Sequence, residues 1–195
     1  GHLFWFARQV NSGNNTSNAK LMADIDLKGY DWTPMGTHDD TDSSKNVHFK
    51  GIFDGNYHVV KNLSVVVPDN SEAGFFGRAE SATIKNFGII NARVEGKGGY
   101  RVGVIGGELH KSSLTNVFTA GDITLITEDS QKGGIAGESH SSTLTNCYTT
   151  YGNLTATAVT AATNCYYQAA AASSESAGAY ATAAQLASGQ IAYAL

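Results

Sequence analysis

Charge is scarce in this sequence. Of 195 residues, 15% are Asp, Glu, Lys or Arg, with 13 basic and 17 acidic side chains and a formal net charge of −4. Globular domains usually carry about 25%. The mild acidity and the lack of any Lys/Arg cluster argue against a nucleic-acid binder. No apolar run nears the ~20 residues that a membrane-spanning helix needs, so membrane insertion is not expected. Two cysteines, Cys147 and Cys165, are too few for a disulfide framework. Hydrophobic residues still make up 42% of the chain, enough for a core, which excludes a disordered or collagen-like chain.

Glycine, at 22 residues, and a crowd of Asn, Ser and Thr fill the space that charge leaves. They are arranged in a repeat. Gly74-Phe-Phe-Gly77, Gly103-Val-Ile-Gly106 and Gly134-Ile-Ala-Gly137 are each followed by a polar stretch and then by an apolar residue and an Asn. Those asparagines, Asn86, Asn116 and Asn146, stand 30 residues apart, and Asn62 stands 24 residues before the first. A period of this length is the signature of a solenoid with one turn of chain per repeat. Short β-branched or aromatic runs such as Val65-Val66-Val67, Ile89-Ile90 and Ile123 to Ile126 lie between Gly, Asn and Ser, and read as strands about four or five residues long. Helical periodicity is missing from residue 19 to about 180. The expected fold is therefore all-β: a single-stranded right-handed parallel β-helix of about five or six coils at strand spacing. The repeat glycines are expected at corners too tight for a Cβ, and Asn62, Asn86, Asn116 and Asn146 as a stacked amide ladder.

One domain is expected over 1–195, with coils over 18–167. Leu3, Phe6, Ala7 and Val10 have helical spacing and read as a cap over 1–13. Thr182 and Gln185 form a capping box within the Ala-rich connector and cap of 168–195. Neither end reads as a signal peptide or anchor, so the sequence is read as a mature product or as a piece of a longer surface protein.

Asn18-Ala-Lys-Leu-Met-Ala-Asp-Ile-Asp-Leu27, Trp32-Thr-Pro-Met-Gly36 and the run Phe49 to Leu63 follow the order seen in bacterial GLUG-motif proteins, and the Gly74, Gly103 and Gly134 repeats resemble the motif itself. The resemblance implies a secreted or cell-surface, adhesin-like protein with a parallel β-helix. Similar repeats accompany the amino-terminal part of IgA-specific metalloendopeptidases. No catalytic residue carries over, because the HExxH metal motif of those peptidases is absent here.

Candidate chemistry is sparse. Asp24 and Asp26 point outward in a strand reading and Asp54 follows within about a coil, either as a cluster holding calcium or serving a polysaccharide lyase or hydrolase as acid and base, or as partners of turn backbone. Asp40, Asp42 and Ser44 alternate as in a calcium loop, but Lys45 and Gly51 stand where an EF-hand needs Gly and Glu. That leaves a looser calcium site or a plain solvated loop, and no other cofactor is expected. The six histidines include no i, i+3 or i, i+4 pair, so no metal site is assigned. Tyr100 and Tyr151 are expected to be exposed for stacking on sugars or on a protein partner, whereas Tyr148 and Tyr166 fit either an inward ladder or an exposed one. The function expected is non-catalytic adhesion to a host glycan or glycoprotein, or contact with neighbouring domains of a longer surface protein. The alternatives are the β-helix enzyme and a purely structural spacer.

Overall fold

A computed structural model of the chain describes residues 1–68, 71–98, 101–128, 131–157, 161–169 and 178–189; Tyr100 and much of the Ala-rich connector lie outside them. Helix α1 (His2–Asn11) leads into two short strands, β1 (Ala19–Lys20) and β2 (Ile25–Asp26). The first full coil holds β3 (Ile52–Val67) and β4 (Phe76–Glu80). The second holds β5 (Thr83–Gly96), β6 (Val102–Gly103) and β7 (Gly106–His110), and the third β8 (Ser113–Thr127), β9 (Lys132–Gly133) and β10 (Ala136–His140). Shorter strands follow: β11 (Thr143–Thr145), β12 (Tyr148–Thr149), β13 (Ala161–Thr163), β14 (Tyr166–Gln168) and β15 (Ala179–Ala181), before helix α2 (Ala183–Ala187). Every pairing between named strands is parallel, with β1, β3, β5, β8, β12, β14 and β15 stacked in one sheet and β4, β7 and β10 in another. The chain is a parallel β-helix of about four turns.

The turn count is lower than the five or six expected because, among the described residues, the chain forms only two- and three-residue strands at both ends, and the long strands differ from expectation as well. The strands are not four or five residues long: β3, β5 and β8 run 16, 14 and 15 residues. They bend where residues take left-handed backbone inside them, Asn86 at φ +52° and Asn91 at φ +60° in β5, and the β3–β5 and β5–β8 ladders shift register by a bulge at Asn56–Tyr57 and near Asn91. Asn tolerates that conformation better than most side chains. One long strand therefore covers the sides that shorter runs were expected to share. Residues before β3 add only two-residue strands and bridges.

Inward positions stack rung on rung. Phe53, Ile84, Leu114 and Leu144 share one register column, each at most 1% exposed. At the first coil the interior is aromatic, with Trp32 stacked on Phe75 at 4.8 Å and Phe49 on Phe76 at 5.0 Å. Helix α1 covers this open end with Leu3, Phe6, Ala7 and Val10, and Phe6 packs edge-on to Phe49. At the other end Thr182 and Gln185 make a reciprocal capping box on α2.

The repeat glycines let two backbone layers touch. The segment carrying β6 and β9 lies against the sheet of β4, β7 and β10. A Cβ at Gly137 would stand 2.5 Å from the Val102 nitrogen, and one at Gly103 would stand 2.2 Å from the Gly106 carbonyl oxygen. The register also corrects the middle repeat. Because Phe76 and Ala136 both pair with Gly106, the residue level with Gly77 and Gly137 is Gly107. Gly103 pairs with Gly133, so Gly134 lies level with Val104, whereas the bridge between Ala73 and Val102 keeps Gly74 level with Gly103.

Candidate functional site

Two polar corners and one charged face are built by this stacking. The first corner begins at Asp54. Asn86 Nδ2 donates to Asp54 Oδ1 at 3.2 Å, Asn116 to Asn86 at 2.9 Å, Asn146 to Asn116 at 3.1 Å and Asn164 to Asn146 at 3.3 Å. Asn62 is not part of this ladder. It lies level with Asn91 at a second corner, where Asn91 Nδ2 donates to Asn62 Oδ1 and Asn62 Nδ2 to Asp26 Oδ1. The 24-residue step before Asn86 joined two different corners. Each ladder thus ends on a carboxylate, and Asp24 caps the same region by accepting from the Val59 amide and His58 Nδ1, both at 3.2 Å. These bonds hold Asp24, Asp26 and Asp54 below the usual carboxylate range. The leading causes are the Val59 amide for Asp24, the Asn62 amide for Asp26 and the Asn56 amide for Asp54.

The charged face lies over β4, β7 and β10, where Arg78, Glu108 and Glu138 form one register column and Glu80, His110 and His140 the next. Arg101 reaches across it. Its Nη1 is 2.9 Å from Glu72 Oε1, 3.3 Å from Asp40 Oδ2 and 3.6 Å from Glu108 Oε2, and its Nε donates to Glu138. Arg78 adds a 3.2 Å contact to Glu108. Glu72 and Glu108 are 2% and 3% exposed, so no dissolved substrate reaches them. Burial, then the neighbouring Glu108, pushes Glu72 well up, which favours its protonated form. Glu72 Oε2 is buried with no hydrogen-bond partner among the described residues. Burial opposes the charge on Arg101, but Glu72 first, then Glu138 and Glu108, raise its pKa overall.

The loop carrying Asp40 and Asp42 is fastened over this face. Asp40 sits between Arg101 and His38, whose Nε2 is 3.0 Å away. Asp42 caps the short turn Ser43–Lys45, accepting from the Ser44 amide and hydroxyl. Asp39, buried below them, accepts from Thr41 and the Asp42 amide and pairs with Lys45 at 3.1 Å. His48 donates Nδ1–H to Glu80 at 2.8 Å and, through Nε2, accepts from His38. Burial lowers the His48 pKa despite Glu80, and the imidazole hydrogen bond holds Glu80 down to about 2. Among the described residues no group of three His, Cys, Asp or Glu side chains is placed to hold a metal ion.

One of the open features is a groove of about 330 Å³ beside the first corner. Tyr57 and His58, the Asn86, Asn116 and Asn146 amides, and Phe118 and Tyr148 line it. Phe118 and Tyr148 are register partners, and their rings stack at 5.1 Å and 6°. Gly88 makes room for this shelf: a Cβ there would stand 2.3 Å from the tip of the Phe118 ring. Tyr57 is 77% exposed and holds φ +64°, next to Asn56 at +51°. A bulky side chain in left-handed backbone is a genuine outlier, and such strain concentrates at functional sites. Tyr151, expected to be exposed, is half-buried against the core. Tyr148 faces outward, while Tyr167 fills the interior at 1% exposure. Asp40 and Tyr151 thus lie away from the groove; of its rings, Tyr148 was read from sequence as either inward or exposed, while Tyr57 and Phe118 were not identified. The signal for them was the 30-residue step from Phe118 to Tyr148, read against Gly88.

No protein-family model matches the chain. It is 31% identical over 125 residues to halomucin of Haloquadratum walsbyi (strain DSM 16790 / HBSQ001), a stretch that is 58% of this chain and 1% of halomucin. A crystal structure of a candidate immunoglobulin A1 protease from Bacteroides ovatus superposes with a TM-score of 0.53 at 19% identity, covering 96% of this chain and 84% of that one. At that identity the likeness is one of fold.

Proposed function

We propose that the chain is a non-catalytic binding module of a secreted or cell-surface protein, adhering through its side face to a host glycan or glycoprotein. One observation carries the reading: the groove at the first corner offers rings and amides and is lined by no carboxylate. Sugar cleavage needs paired carboxylates flanking an open cleft. Here Asp24, Asp26 and Asp54 are tied to ladder ends, and the Glu72–Glu108 pair is buried under Arg101. The likeness to a halomucin and to a candidate immunoglobulin A1 protease supports a place outside the cell, where mucins and immunoglobulins are found.

The test is an array of glycans, mucins and immunoglobulins probed with the purified chain, with and without calcium. Saturable, selective binding supports the module. Loss of binding on chelation would return the Asp40–Asp42 loop to the reading as a calcium site. No binding at high micromolar concentration, from protein shown to be folded, would overturn adhesion in favour of a spacer.

A further inference from the structure

We propose that the groove at the Asn corner takes an uncharged polysaccharide laid along the solenoid axis, about one sugar ring per rung. The proposal rests on the binding-module reading and adds to it the ligand class, the direction of the chain and the residues that hold it.

The direction follows from the register. Asn86, Asn116 and Asn146 occupy the same corner of successive rungs, and Gly88, Phe118 and Tyr148 the same outward column beside it. Rungs are stacked at about 4.8 Å, close to the length of one pyranose unit in an extended glycan. A ligand running along the axis therefore meets an amide at each of these rungs and a ring beside two of them, at Phe118 and Tyr148.

The chemistry of that pair fits sugar. A primary amide has two N–H donors and an oxygen with two lone pairs. In the ladder, Asn116 spends one donor on Asn86 and one lone pair on Asn146, which leaves one of each. Those remaining groups match the donor–acceptor pattern of a hydroxyl, the exposed Tyr57 ring is open to the C–H face of a pyranose, and the Phe118–Tyr148 stack forms an apolar wall beside it. No Lys, Arg, Asp or Glu lines the groove, and His58 is engaged with Asp24 at 3.2 Å. Nothing there would repay the desolvation of a uronate or sulfate group. A peptide adding itself as a strand finds no site either, because β3, β5 and β8 are paired along both edges.

Tyr57 closes the argument. Its ring gains little from packing, yet its backbone is kept in a conformation that costs energy. That arrangement suits a ring whose contact arrives with the ligand.

Calorimetric titration of the full chain with uncharged cello-, manno- and chito-oligosaccharides, from disaccharide to hexasaccharide, tests the proposal alongside acidic polysaccharides. The expected result is affinity that rises with length to about three units, the rungs lined by Asn86, Asn116 and Asn146, and then levels. Tyr57→Gly and Phe118→Ala should each weaken binding by about tenfold or more, the size of a lost aromatic anchor. Gly88→Ala, which pushes the Phe118 ring off its seat, should weaken binding with the melting temperature little changed, so a folding defect in Phe118→Ala does not decide the outcome. Preference for acidic chains, or binding indifferent to all three substitutions, would overturn the proposal. If the array ligand is a glycoprotein whose binding survives all three, the groove assignment fails while the module reading stands. If nothing binds, both fail.

Discussion

Asn116 Nδ2 donates to Asn86 Oδ1 at 2.9 Å across 30 residues of chain, and both residues hold left-handed backbone, at φ +55° and +52°. One residue type thus performs two tasks at each rung: it turns the corner and joins that corner to the next. Asn116→Ala should remove both ladder bonds and force a Cβ-bearing residue without a compensating amide into the same φ, costing about 2–3 kcal/mol. Asn116→Gly keeps the conformation available and should recover part of that loss. Urea unfolding of the two variants compares the terms; equal midpoints for Asn116→Ala and the parent would refute the ladder's role in stability.

Arg101 is the cation shared by Asp40, Glu72, Glu108 and Glu138. Arg101→Met should cost about 3–5 kcal/mol, the usual penalty for leaving buried charges without their partner. It should also release the 37–48 loop, because Asp40 loses its anchor. Arg101→Lys should rescue little, since one ammonium cannot replace Nε and Nη1 in their separate directions. Limited trypsinolysis reads the loop directly: cleavage after Lys45 should quicken in Arg101→Met before global unfolding does.

The same face makes stability depend on pH in two opposite ways. Glu80 is held down to about 2 from an ordinary 4.5, chiefly by the His48 hydrogen bond, so its contribution is present above about 4.5 and fades as pH falls toward 2. Asp24, Asp26, Asp39, Asp42 and Asp54 are also depressed and act with the same sign. Glu72 is raised: the folded chain keeps a proton that the unfolded chain loses above about 4.5, so its cost grows as pH rises from there. Glu72→Gln, an uncharged replacement of the same shape, should match the parent near pH 4 and exceed it at pH 8. A constant difference across that range in denaturant midpoints would rule out a protonated Glu72.

The coils were legible in the sequence because the 30-residue step between Asn86, Asn116 and Asn146 is also the structural register. Two misreadings came from matching letters rather than levels: Asn62 belongs with Asn91, and Gly107 rather than Gly106 is level with Gly77. The charged face was hidden because its members are isolated in the chain and meet only by stacking. Aligning the repeats at Gly107 would have placed Arg78, Glu108 and Glu138 in one column and Glu80, His110 and His140 in another. Arg101 and Glu72 give no such signal, since they reach the face from the segments that fold back over it. The groove depends on what Gly88 lacks, which a search for chemical side chains passes over.

Cys147 and Cys165 stack as free thiols inside the solenoid, 0% and 3% exposed. Their thiols donate to the Thr145 and Thr163 carbonyls, each at 3.3 Å, and burial pushes the Cys147 thiol up. The Cys147 contact lowers the Cys165 thiol instead, but burial keeps reagents from both. Neither should react with a disulfide reagent in the native state, and both should react on addition of denaturant. Prompt titration of one thiol in native buffer would show that the last coils open far more readily than the rest.

Tyr57 connects stability to binding. Left-handed backbone costs a non-glycine residue about 1–2 kcal/mol, and the exposed Tyr57 ring returns little of this by burial. Tyr57→Gly relieves the strain and adds disorder to the unfolded chain, so the net gain should be about 0.5–1 kcal/mol. The same substitution should weaken glycan binding. A variant that is more stable yet binds less well is the expected mark of strain kept for function. A Tyr57→Gly chain that unfolds at lower urea than the parent would mean instead that the ring holds the Asn56–Tyr57 bulge in place, and its exposure would then need no ligand to explain it.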